Sequence, residues 1–161
     1  MHRAFRWIFI ASAAALTACS SSLIDPPGRT DEILRLEASG EQIFRCARDS
    51  QGWYWKFQSP NAYLFDPTTN QAVAKHGYNF TFVHNDGSNL SARIKSVNSK
   101  PGELSEALFV TQSGTAPGVF HGVRYVQRVN THGGMPKSRC VEAQKDKYLR
   151  IPFTAEFVFY K

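Results

Sequence analysis

The stretch FTAEFVFYK, residues 153–161, sets Phe153, Ala155, Phe157 and Phe159 on alternate positions at the end of the chain. Alternation with period two places these four side chains on one face of a β-strand. A face so apolar has to be covered, so the segment is expected to pair inside a sheet structure and not to fray as a terminus. The same period recurs upstream. EQIFRCAR places Phe44 and Cys46 opposite Arg45, and GWYWKF places Trp53, Trp55 and Phe57 opposite Tyr54 and Lys56. NLSARIK sets Leu90, Ala92 and Ile94 against Arg93 and Lys95, and GVRYVQRV sets Val123, Tyr125, Gln127 and Val129 against Arg124 and Arg128. Gly, Pro, Asn and Asp bound these stretches, and no long amphipathic helix interrupts them. The expected fold is all-β: a single-domain antiparallel β-sandwich or partly closed β-barrel of about eight to ten strands.

The start of the chain reads differently. Arg3 and Arg6 precede WIFIASAAALTA, an apolar run too short to cross a bilayer and suited to the core of an export signal. Leu16, Thr17, Ala18 and Cys19 then resemble the bacterial lipobox, in which the cysteine is acylated and becomes the first residue of the mature chain. Ordinary cleavage after Ala15 would leave Cys19 a spare thiol. On the lipobox reading residues 1–18 are a lipoprotein signal peptide, 19–32 a lipidated tether marked by Pro-Pro-Gly, and 33–161 the β-rich domain. Cys19 is then a membrane anchor with no redox role, and Ser20 suggests sorting to the outer membrane.

Removing residues 1–18 takes away two arginines and leaves 143 residues, with 17 basic against 13 acidic side chains. That is enough chain for one cored domain. The positive charge is scattered, without runs, which argues against nucleic acid as a partner. The cysteines left besides the anchor, Cys46 and Cys140, are expected to form a disulfide in an oxidising compartment.

Candidate chemistry is sparse. His76, His84, His121 and His132 lack the close spacing of a local zinc site, and no nucleophile elbow, phosphate loop or dinucleotide fingerprint occurs. No cofactor, metal or catalytic residue is assigned. NDGS, residues 85–88, reads as a hairpin turn in which Asp86 is a turn former. RVNTHGG, residues 128–134, reads as a structural corner built on Gly133 and Gly134, although Arg128, Asn130, Thr131 and His132 could meet a ligand there. Trp53 and Trp55 could stack on a carbohydrate, but a shared strand face is more often core.

GEQIFRC, WKFQSPNAYLFD, KHGYNFTFVHNDGS, GVRYVQRVNTHGG, Cys140 and IPFTAEFVFYK together resemble, in order and spacing, the bacterial and fungal family called domain of unknown function 3455. The resemblance runs from about Leu34 to the last residue. It implies a compact β-rich extracytoplasmic domain and leaves the activity open. In that family the histidine stretch usually continues with Gly-Pro and a tryptophan before Asp-Gly-Ser, whereas Asn79, Phe80 and Phe82 stand here. The expected function is that of a non-enzymatic cell-envelope lipoprotein, held at a membrane by its lipid and binding a small ligand, a polysaccharide or an envelope protein. The alternative is an extracytoplasmic enzyme in which His76, Asp86, Arg128, Asn130 and Thr131 converge in one pocket.

Overall fold

The computed structural model describes residues 22–161; the signal segment and Cys19 lie outside the described residues. Eight strands follow one another: β1 (Glu32–Asp49), β2 (Gly52–Phe65), β3 (Ala72–Gly77), β4 (Thr81–His84), β5 (Asn89–Asn98), β6 (Glu106–Ser113), β7 (Tyr125–Gly133) and β8 (Tyr148–Tyr160). Each pairs antiparallel with the next, and β8 closes on β1 from Glu32↔Tyr160 to Arg45↔Tyr148. The all-β single domain is therefore a closed up-and-down barrel, with neither the two separate sheets of a sandwich nor an open seam.

The alternation explains the filling. Phe153, Ala155, Phe157 and Phe159 face the lumen, together with Leu36, Leu64, Phe82, Leu90, Phe109 and Val126. Small residues on β1 to β3, namely Ala38, Ala62 and Ala74, make room for the phenylalanines of β4, β6 and β8. Gly40 serves a different need, the close approach of β2, because a Cβ there would run into the backbone of Asn61 and Ala62. Charged side chains such as Glu37, Lys75, Arg93 and Arg124 stay outside.

Both barrel ends are stoppered. At the end where β1 begins, Phe120 enters the lumen and stacks on Phe159 with ring centres 4.7 Å apart. At the far end, loop 99–105 folds inward: Leu104 N–H donates to Gly133 O at 2.7 Å, and Lys100 Nζ donates to Thr131 O at 2.7 Å. The β1–β2 hairpin runs on beyond this end. It is tied down there by the Cys46–Cys140 disulfide, which joins residues 94 apart in sequence with Cα atoms 5.9 Å apart.

Three sequence expectations change in three dimensions. Trp53 and Trp55 are only half-buried, because their part of the hairpin extends past the barrel and has no lumen to fill. In β7 the period is as expected but the sense is reversed: Val126 and Arg128 point inward, and Gln127 points outward. Of the expected tether, residues 22–31 are seated on the outer wall. Ile24 is buried, its carbonyl accepts from Gln127 Nε2 at 3.0 Å, and Leu23 O accepts from Ser96 Oγ at 2.7 Å. This segment lies over the strands carrying Leu108 and Val158, two apolar residues that face away from the lumen. The outer face here is therefore apolar as well, and for that reason alternation alone misassigned β7.

Candidate functional site

The five polar residues singled out from sequence fall in three places. His76, on β3, is fully inside the barrel. Its Nδ1 lies 3.1 Å from Thr81 O. A carbonyl only accepts, so Nδ1 carries the proton and Nε2 a lone pair. The ring stacks on Phe82 with centres 4.0 Å apart and meets the edge of Phe157 at 5.1 Å. Burial, helped by the nearby Arg128 charge, pushes its pKa down to about 3, against the pull of the Thr81 carbonyl. His76 is a neutral imidazole.

Arg128 shares that interior. Its Nε and Nη2 donate to Ser105 O at 3.0 and 2.8 Å, and its guanidinium lies 5.3 Å from the centre of the Phe109 ring. Desolvation lowers its pKa to about 10, which still leaves it charged at neutral pH. Thr131 is wholly buried on the same strand. Gln42, not singled out from sequence, joins this group: it is buried on β1, and Nε2 finds no partner. A signal for it existed, since Gln42 shares strand parity with Phe44 and Cys46 and is thus a polar residue on an apolar face.

Asp86 belongs to the other end. In the β4–β5 turn its Oδ1 accepts from Ser88 N at 2.9 Å and Ser88 Oγ at 2.6 Å, and its Oδ2 accepts from Val119 N at 2.8 Å. These donors hold its carboxyl well below the usual carboxylate range. Ser88 Oγ in turn accepts from Phe120 N at 3.1 Å, so Asp86 fastens the stopper.

Asn130 lies on the outside, at a bulge between Val129 and His132, with a left-handed φ of 51°. Its N–H donates to Glu106 Oε1 at 3.1 Å and its Nδ2 to Glu156 Oε1 at 2.7 Å. Asn130 and Arg35 hold the Glu156 carboxyl below its ordinary range. Here an open groove of about 480 Å³ crosses β1 and β8. Glu37, Ser39, Asn70, Asn130, His132 and Thr154 line it, above a floor that includes Phe65 and Ala155. The corner reading of RVNTHGG also holds: Gly133 and Gly134 adopt φ of 70° and 80°, and a Cβ on Gly133 would lie 2.5 Å from Pro152 O.

The structure thus brings His76, Arg128 and Thr131 into one half of the lumen and leaves Asp86 and Asn130 elsewhere. Among the described residues no group of three or more His, Cys, Asp or Glu is placed to hold a metal ion. A family model described as "Protein of unknown function (DUF3455)" matches residues 26–161, which include all eight strands, the groove and the lumen. The chain belongs to the DUF3455 family. No curated protein and no solved structure matches it. In this DUF3455 barrel, Asn79, Phe80 and Phe82 lie around His76. Phe82 stacks on it, Phe80 lies 6.1 Å from it, and Asn79 and Phe80 take left-handed φ of 55° and 52° in the β3–β4 turn.

Proposed function

We propose that this chain is a lipid-anchored cell-envelope protein that works by binding at its outer surface and not by catalysis. The anchor reading rests on the lipobox around Cys19, with Ser20 directing the protein to the outer membrane. The observation that carries the binding reading is the groove beside Asn130. The Glu37 carboxylate offers acceptors, the Asn70 amide and the Ser39 and Thr154 hydroxyls offer donors, and Phe65 supplies an apolar floor, while Asn130 and Glu156 are bonded to each other at its edge. Interleaved donors and acceptors over a flat apolar patch suit a polyhydroxylated ligand, a polysaccharide of the envelope. The enzyme alternative lacks such support, because its five residues line no common pocket.

Two experiments test the two halves. Labelling with a palmitate analogue should mark the parent and not Cys19→Ser; equal label in both rejects the anchor. For the groove, the full chain should be retained on purified peptidoglycan sacculi. A Glu37→Ala, His132→Ala double variant that melts like the parent should be released. Absence of retention, or retention unchanged in the variant, rejects polysaccharide binding at this groove.

A further inference from the structure

Positive charge that is scattered along the sequence is gathered by the fold. The outer stretch of the β1–β2 hairpin, from Arg45 to Gln58, and loop 134–147, which is tied to it, carry seven of the seventeen basic residues in 22–161 and three of the thirteen acidic ones. The remainder of that range is balanced, ten against ten. All the excess charge therefore sits at one pole of the barrel, where it focuses a field toward anions.

Contacts between hairpin and loop shape that pole into a concave site. Besides the Cys46–Cys140 disulfide, Cys46 N donates to Lys147 O at 2.9 Å and Asp146 N donates to Cys46 O at 3.1 Å. Arg139 Nε donates to Trp53 O at 2.8 Å. These bonds hold the loop before any ligand arrives, so little ordering is left for binding. Hairpin and loop together line an open cavity of about 460 Å³, on which Arg45, Arg48, Lys56, Lys145 and Trp53 converge with Glu142 and Asp146. That volume suits a small ligand.

The wall of this cavity carries more cations than carboxylates. Asp146 Oδ1 accepts from Arg45 Nη2 at 2.6 Å, which leaves other N–H groups of that guanidinium to donate elsewhere. Among the described residues Lys56, Lys145 and Glu142 form no ion pair. Four cations against two carboxylates leave an excess of two positive charges, which matches a phosphate monoester of charge about −2 at neutral pH. Trp53 adds a different kind of wall. It is half-buried, with the Arg48 guanidinium 5.7 Å from its ring centre, and an aromatic surface beside polar groups suits the mixed C–H and hydroxyl faces of a sugar. We infer that this pocket binds a phosphorylated sugar, its phosphate among Lys56, Lys145 and Arg45, its ring against Trp53 and a hydroxyl donating to Glu142. The pocket shares no lining residue with the groove beside Asn130.

The test titrates the full chain, disulfide intact and in nonionic detergent, with glucose 6-phosphate, inorganic phosphate, glucuronate and glucose at constant ionic strength. Glucose 6-phosphate should bind saturably. Its affinity should be about tenfold above that of inorganic phosphate, which lacks the ring, and of glucuronate, which carries a single charge. Glucose should not bind. A Lys56→Gln, Lys145→Gln double variant that melts like the parent should lose at least about tenfold in affinity, and Trp53→Leu should bring glucose 6-phosphate down to the level of inorganic phosphate. In the parent chain the Trp53 indole N–H resonance, assigned with Trp53→Phe, should shift with glucose 6-phosphate and stay still with glucose. The absence of saturable binding, glucose or glucuronate binding as tightly as glucose 6-phosphate, an unmoved Trp53 resonance, or parent-like affinity in the double lysine variant overturns the inference. The Glu37→Ala, His132→Ala variant should bind glucose 6-phosphate as the parent does, and weakened binding there would overturn the placement of the site. Sacculus retention reports the groove and the Trp53 resonance reports this pocket, so either reading can fail without the other.

Discussion

His76 should make this barrel sensitive to acid far above the range in which carboxylates titrate. Its imidazole is neutral in the fold, with a pKa of about 3 caused first by burial and then by the Arg128 charge. In the unfolded chain the same ring titrates near 6.5. Below that pH the unfolded state binds a proton that the folded state refuses, so stability falls as the solution is acidified and is fully present above about pH 7. Each pH unit between the two values costs about 1.4 kcal/mol, so moving from pH 6.5 to pH 5 removes about 2 kcal/mol through this one residue. That is a large fraction of a typical domain stability of about 5 to 15 kcal/mol. His76→Phe isolates the effect: phenylalanine fits a position already stacked on Phe82 and edged by Phe157, and it cannot titrate. Urea unfolding with the disulfide intact, at pH 7.5, 6 and 5, should show parent and variant diverging by about 2 kcal/mol at the lowest pH, with the variant the flatter. Parallel pH dependences would refute the argument, since they would mean that His76 either takes its proton without unfolding or does not set the slope.

Other outcomes follow from particular contacts. Gly133→Val should lose about 3 kcal/mol in thermal unfolding, combining a β-branched residue at φ 70° with a Cβ 2.5 Å from Pro152 O; a variant melting like the parent would show that the corner can rearrange. Denatured, non-reduced protein should offer no alkylatable thiol at Cys46 or Cys140, and reduction should cost about 4 to 5 kcal/mol for a closed loop spanning 94 positions. Ile24→Ala should destabilise the barrel by about 2 kcal/mol if the N-terminal segment is part of the fold. Urea unfolding indistinguishable from that of the parent would show that the segment is dispensable.

Much of the site was hidden for a reason that Arg128 makes plain. In sequence, arginine on an alternating strand belongs to the wet face. It lies inside because Ile24, some hundred residues upstream, covers the outside of β7 and bonds to Gln127, a contact with no local signature. Asp86 is the opposite case: a turn carboxylate bonding Ser88 two residues on is set by neighbours in the chain, and Asp-Gly between two strand-like runs announces it. Gln42 lies between these cases, since its position on an apolar face was legible but its lack of a partner was not.

For the fold the same division applies. The period of two in Phe153, Ala155, Phe157 and Phe159, the glycine corner at Gly133 and Gly134, and the pairing of Cys46 with Cys140 could all be read from residue type and spacing. Each of these depends on local stereochemistry or on counting thiols. Whether the sheet closes could not be read, because alternation is identical in a sandwich and a barrel. Closure depends on β1 meeting β8 from Glu32↔Tyr160 to Arg45↔Tyr148, on Gly40 letting β2 approach β1 closely, and on the alanines of β1 to β3 leaving space for phenylalanines that arrive from β4, β6 and β8. Volume matched across a lumen is a property of residues far apart in the chain, so only the tertiary structure decides it.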